Sequence, residues 1–169
     1  MTRTVSHHLQ DDGVIPNNCL PLLVYSQVVD HSVGDPARAF EQLFHGNGWG
    51  HSWRNGIYPF RHYHSTAHEV LGIAAGSAKV EFGGPEGVVL DVSAGDAVLI
   101  PAGVSHYNLG ASSNLLVIGT YPPGPDWDLC RDSQQEYEAA RGQIPRVPTP
   151  TTDPVRGASG GIHDHWQAL

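Results

Sequence analysis

The apolar and polar positions of this chain fall into many short stretches divided by glycine and proline, the punctuation expected of strands joined by turns. Residues 20–29 form the first, an apolar and β-branched run that reads as a strand. Further strands are predicted over residues 57–64, 69–75, 78–82, 88–92, 97–100, 105–109 and 114–120. Within 57–64, period-two alternation sets Tyr58, Phe60, His62 and His64 on one face and turns Arg61 to the other. Gly76-Ser77 reads as a hairpin turn. Helical spacing appears twice. Asp35-Pro36 offers an N-cap and a first-turn proline, and Ala37, Phe40, Leu43 and Phe44 follow as one apolar stripe, with Gly46 as the left-handed stop. Residues 133–141 begin with a capping serine and continue with polar helix formers. Residues 1–18 read as a loose polar arm, and the chain from Pro145 onward as a Pro/Thr/Gly-rich irregular tail.

Four side chains on this framework suit a metal ion. His62 and His64 are two apart and share a strand face, Glu69 follows a tight turn, and His106 arrives from a later strand. Three neutral imidazoles and a carboxylate suit one divalent transition metal without selecting it, since Fe, Mn, Ni, Co, Cu and Zn all accept these donors. The chain has eleven histidines, so other pairs need weighing. His7-His8 and His163/His165 lie in polar ends and read as solvated. His64 and His68 have the spacing of a helical zinc pair, but the sequence is not HExxH and its flanks favour a turn and a strand. That leaves His68 as a supporting or surface residue. The glycines of residues 46–56 suggest a phosphate loop, yet no GK[ST] and no helix follow. That segment instead carries Trp49 and Trp53. Tyr58, Phe60, Asn108, His51 and Trp53 are the candidate lining residues of a pocket beside the metal.

The four donors sit in two glycine-framed patterns. In the first, Gly56, His62-x-His64, Glu69 and Gly76 are separated by five, four and six residues; in the second, Gly95, Pro101-x-Gly103 and His106 are separated by five and two. Together they resemble the two motifs of the cupin superfamily. The resemblance implies an all-β fold, an antiparallel double-stranded β-helix barrel of jelly-roll type, with the metal held inside by His62, His64, Glu69 and His106. One position departs: Gly110 stands where the second motif usually ends in Asn, and Asn108 lies two residues earlier. That position is not a ligand in the family. NGWGHSWRNGIYPFRHYHSTAHEVLGIA, GDAVLIPAG and YPPGPDWDLC are similar to the YjlB-like family of small bacterial cupins, which implies architecture and site but no particular reaction. On this reading residues 1–169 form one cupin domain. Its barrel core spans about 50–121, a strand and short helix occupy 20–46, and a C-terminal extension occupies 122–169.

Charge and composition narrow the partners. The net charge is −8 and Lys79 is the only lysine, which argues against nucleic acid and anionic membrane surfaces. No apolar run is long enough to span a membrane, the N-terminus lacks a secretory apolar segment, and Cys19 and Cys130 are too few for a disulfide framework. A cytoplasmic protein is expected. An open metal inside a self-sufficient fold points to chemistry on a small molecule. Three readings follow: an O₂-dependent, dioxygenase-like enzyme as the leading one, a non-redox isomerase, epimerase or lyase, and a non-catalytic metal- or ligand-binding module. With few cations near the site, the substrate expected is a small planar or chelating organic molecule. Sheet edges left by such a fold predict a homodimer.

Overall fold

The computed structural model describes residues 2–30 and 32–167. Among these, the chain runs β1 (Thr4–Leu9), β2 (Asn18–Tyr25), α1 (Pro36–Gly46), β3 (Gly50–Asn55), β4 (Glu69–Ala75), β5 (Ser77–Phe82), β6 (Val88–Ser93), β7 (Ala97–Ile100), β8 (His106–Ala111), β9 (Leu116–Tyr121), α2 (Gln134–Gln143) and the single-turn α3 (Ile162–His165). The strands make a six-stranded sheet, β1-β2-β7-β4-β9-β3, and a three-stranded sheet, β6-β5-β8. Every pairing is antiparallel.

From β4 onward the chain repeatedly changes sheet. It crosses after β4, returns after β6, crosses again after β7 and returns after β8. Gly76 is therefore a corner between sheets rather than the hairpin turn expected. Its φ of 76° is the left-handed conformation that glycine adopts without strain. Hydrogen bonds do not run continuously between the sheets, so the expected barrel is open: two facing sheets with jelly-roll threading. A core of Leu71, Ile73, Val80, Phe82, Val98, Ile100 and Val117 fills the space between them.

The outer face of the large sheet carries a second core. Leu23, Val70, Ala97, Leu99 and Ile118 meet Phe40 and Phe44 of α1 and, from the tail, Ile162 and Trp166. Central strands covered on both faces have no solvent side, which is why β7, and β4 after Glu69, are uninterrupted apolar runs. The α1 start follows its sequence: Asp35 accepts a hydrogen bond from Arg38 N at 3.1 Å, with Pro36 at the first position. Its stop differs. Gly46 stays in the helix, Asn47 caps it, and Gly48 takes the positive φ.

Both termini are more ordered than their composition suggested. The expected N-terminal arm contains β1, which hydrogen-bonds along β2. Of the tail, Asp153 is fully buried, and its carboxylate accepts hydrogen bonds from the Tyr25 phenol and from the backbone N–H groups of Val155, Arg156 and Ile162. Trp166 Nε1 donates to Pro21 O at 2.8 Å. His163 Nε2 meets Gly157 O at 3.1 Å. No helix of the described residues is long and apolar enough to cross a membrane.

Candidate metal centre

Residues 57–64, expected as a regular strand, form an irregular segment held at scattered points, among them Asn108 N to Tyr58 O at 3.1 Å and Gly103 N to His64 O at 2.7 Å. His62 exchanges backbone hydrogen bonds with His106 on β8, while Tyr63 exchanges them with Cys130 of the connector after β9. Pro59 lacks an N–H to extend the ladder. The pinning at His62 and Tyr63 still preserves the alternation where it matters. Tyr63 is buried with Ile15, Cys130 and Ile144, while His62 and His64 approach His106.

The three histidines are 3%, 6% and 2% exposed, and one ring nitrogen from each lies within 4.8 Å of the others. In each ring Nδ1 faces a backbone carbonyl: Phe60 O at 3.0 Å for His62, Asp128 O for His64, and Val104 O at 3.4 Å for His106. Such a bond fixes the tautomer and leaves Nε2 as the free donor atom. Glu69, the first residue of β4, shares the inward face with Leu71 and is 2% exposed. Its two oxygens lie 3.5 Å from His64 Nε2 and 3.2 Å from His106 Nε2. The large sheet thus contributes Glu69 and the small sheet His106. His62 and His64 come from the irregular segment between β3 and β4.

Electrostatics agree with a metal-binding role. Burial, reinforced by the neighbouring imidazoles, pushes the His62 pKa down to about 3, so the ring is neutral. Burial raises the pKa of Glu69, but His64 and His106 outweigh it and hold the group well below the usual carboxylate range. For His64 burial acts downward, yet Glu69 and the Asp128 carbonyl bring the net shift up. A buried carboxylate whose close partners in this cluster are imidazoles, with their Nδ1 atoms tied elsewhere, is a donor set that fits a divalent cation.

A cavity of about 380 Å³ reaches this cluster from solvent. Trp53, Ile57, Tyr58, Leu71, Tyr121 and Trp127 supply its apolar wall, and Arg54 and Asn55 its polar rim. Of the lining residues proposed from the sequence, Trp53 and Tyr58 are on this wall. Phe60 stacks on Tyr58, centroids 4.8 Å apart, and lies beneath Arg131. Asn108 is not on the wall: it donates to Ile57 O at 3.2 Å and accepts from Gly110 N at 2.9 Å, so backbone groups engage its side chain. His51 is exposed, at the register shift between β3 and β9 with φ of 56°. His68 is buried; its Nδ1 accepts from Ala102 N at 2.9 Å, and burial lowers its pKa to about 4. Arg61 turns outward as its register required, onto Glu81 at 2.7 Å.

Sequence reasoning missed Tyr121 and Trp127. Tyr121 continues the inward alternation of Val117 and Gly119 on β9, a period-two signal that names it. Burial and the nearby Glu69 carboxylate raise its pKa, so the phenol stays neutral. Trp127 arrives on the Pro-rich connector, where no periodicity exists to find it.

One chain threading two facing antiparallel sheets, with its metal-type donors carried inward from two glycine-framed motifs, defines a cupin. Within that class the chain belongs to the YjlB family: it is 37% identical over 164 residues, 96% of each chain, to the uncharacterized protein YjlB of Bacillus subtilis (strain 168). No family model matches it. Solved structures that match include acireductone dioxygenase from Bacillus anthracis, with a cadmium ion in its active centre (13% identical, TM-score 0.40, covering 73% of this chain and 80% of that one). Others are the dTDP-6-deoxy-D-glucose-3,5-epimerase of Legionella pneumophila (15%, 0.39, 73% and 74%) and a cupin 2 domain-containing protein from Halorhodospira halophila (15%, 0.37, 88% and 83%).

Proposed function

We propose that this protein is a divalent-metal-dependent enzyme acting on a small chelating organic substrate, with dioxygen as co-substrate. The observation that carries the reading is a cluster of three buried imidazoles opening directly into a solvent-reaching cavity. A structural metal site is usually closed by its protein ligands, whereas a catalytic one keeps positions open. In this reading His62, His64, Glu69 and His106 are the ligands. A redox-active ion such as iron, when bound there, would supply activation of dioxygen and polarisation of a substrate oxygen. The chain's own part is to hold Glu69 ionised, to fix the three rings through their Nδ1 contacts, and to line the approach with rings that exclude water.

The test is metal analysis of protein purified without added metal, followed by oxygen-electrode assays with chelating acids, diketones and catechols. Stoichiometric iron and substrate-dependent oxygen uptake are expected. Replacing His62 and His64 together by Ala should abolish stoichiometric metal; full retention would overturn the ligand assignment.

A second reading has its own observation. The neutral phenol of Tyr121 faces Glu69 at the cavity wall, where it can hydrogen-bond to an oxygen that gains charge, as a non-redox isomerase or lyase requires. Solvent-proton exchange into substrate without oxygen uptake would select this reading. Metal binding with neither activity would reduce the protein to a binding module. We also read the protein as a cytoplasmic homodimer: β1 and β3 are the outer strands of the large sheet, and such edges invite pairing. Light scattering at tens of micromolar, if it gave a monomer, would refute the dimer.

A further inference from the structure

Two parallel-stacked aromatic pairs stand at the metal cluster. Tyr58 and Phe60 are inclined by 13° at 4.8 Å, and Tyr121 and Trp127 by 13° at 5.8 Å. The first pair meets the His62 ring edge-on, with Tyr58 at 5.1 Å; the second meets His64 edge-on, with Trp127 at 5.4 Å. His62 and His64 are themselves 5.9 Å apart, so the pairs bracket the two imidazoles. Tyr58 and Trp127 line the cavity and yet remain 48% and 49% exposed. Rings of this size normally gain their stability from burial. Here each is held in place by a stacked partner while part of its surface stays in water. The residues deeper in the wall, Ile57 and Leu71, are apolar and largely shielded.

The charged groups near the mouth are already engaged. Arg54 is bound to Glu41 through Nη2 at 2.6 Å and Nε at 3.2 Å, and Arg131 lies over Phe60 at 3.9 Å. Arg61 is bound to Glu81 outside the cavity. The mouth therefore offers planar aromatic surface and few unpaired cations for a phosphate.

Resting on the metal reading above, we infer that the substrate class is an aromatic chelator: a neutral aromatic ring carrying two adjacent oxygen donors. The oxygens face the histidine cluster, and the ring lies against Tyr58 and Trp127, which act as specificity-determining residues. Stacking a nucleobase on an aromatic side chain strengthens binding by about fivefold to 150-fold, and a comparable gain is expected for an aromatic ring here.

The test compares two probes with the same chelating head, benzohydroxamate and acetohydroxamate, titrated calorimetrically into metal-loaded protein whose metal content is measured first. Benzohydroxamate should bind about tenfold tighter. In Tyr58→Ala and Trp127→Ala the ratio of the two affinities, measured at equal metal occupancy, should shrink severalfold. Full metal content with no ring preference, or a preference that survives both substitutions, overturns this inference and leaves the metal reading intact. Failure to take up metal in the parent protein overturns both. If Trp127→Ala instead dissociates a dimer while the ring preference persists, the aromatic mouth is a contact between copies and the inference is wrong.

Discussion

His64 is oriented by Asp128, a residue far along the chain on the connector after β9. The Asp128 carbonyl takes the His64 Nδ1 hydrogen, while its carboxylate accepts from Ser65 N at 2.6 Å, from Thr66 N at 3.2 Å and from the Ser65 hydroxyl. One residue thus fixes both the ring and the turn that follows it. Asp128→Ala keeps that carbonyl but loses the carboxylate that anchors it to the Ser65–Thr66 turn, so metal affinity should fall by up to about tenfold, the low end of the range for losing support behind a ligand, as read by competition with a chromophoric chelator. The same carboxyl carries a pH signature. Burial raises its pKa, but hydrogen bonds from Ser65, Cys130 and Thr66 prevail and lower it below the usual aspartate range. A depressed folded pKa gives stability that is whole above the ordinary aspartate value near ~3.9 and is lost as pH falls through the folded one. Acid unfolding of Asp128→Asn should lack that component, and an unchanged slope below that pH would refute the assignment.

At the scale of elements, β9 decides the cavity's shape. Gly119 pairs with Trp53 across β3 and β9, and a Cβ at position 119 would collide with the indole. Gly119→Ala should therefore shift Trp53, cost about 1–3 kcal/mol by overpacking, and change the tryptophan emission of the folded protein. Unaltered emission and stability would contradict the contact. The same strands explain what the sequence reveals. Helix α1 was legible because capping and an apolar stripe are local signals, and residues 70–75 and Ala97–Ile100 because buried central strands are continuous apolar runs. The clustering of His62, His64 and His106 beside Glu69 was legible because glycine-framed spacing survives any irregularity between them. Residues 57–64 were harder: their pairing is split between β8 and the connector, a division set by tertiary neighbours. β1 was hidden because Thr4–Leu9 lies on an edge, half in water, where polar residues are tolerated and no apolar pattern is needed.

At the scale of the whole molecule, the tail acts as a clasp on the outer face of the large sheet, while the cavity opens from the inner face. Thr152 O accepts from Trp49 Nε1 at 3.0 Å, Pro154 O from Asn47 at 2.7 Å, and Asp153 joins the tail to Tyr25. Asp153→Ala leaves several buried donors unpaired, at about 1–3 kcal/mol each. Its unfolding midpoint in urea should fall sharply while metal affinity in the folded protein stays the same. A variant as stable as the parent would show the clasp to be dispensable. The alternating passage of the chain between sheets has a consequence in time. Glu69 belongs to one sheet, His106 to the other, and His62 joins the second only through its bridge to His106, so no local hairpin assembles the donor set alone. Long-range pairings of this kind form late and slowly. During refolding, metal uptake should therefore lag the recovery of backbone circular dichroism, making the ion a clock for sheet docking.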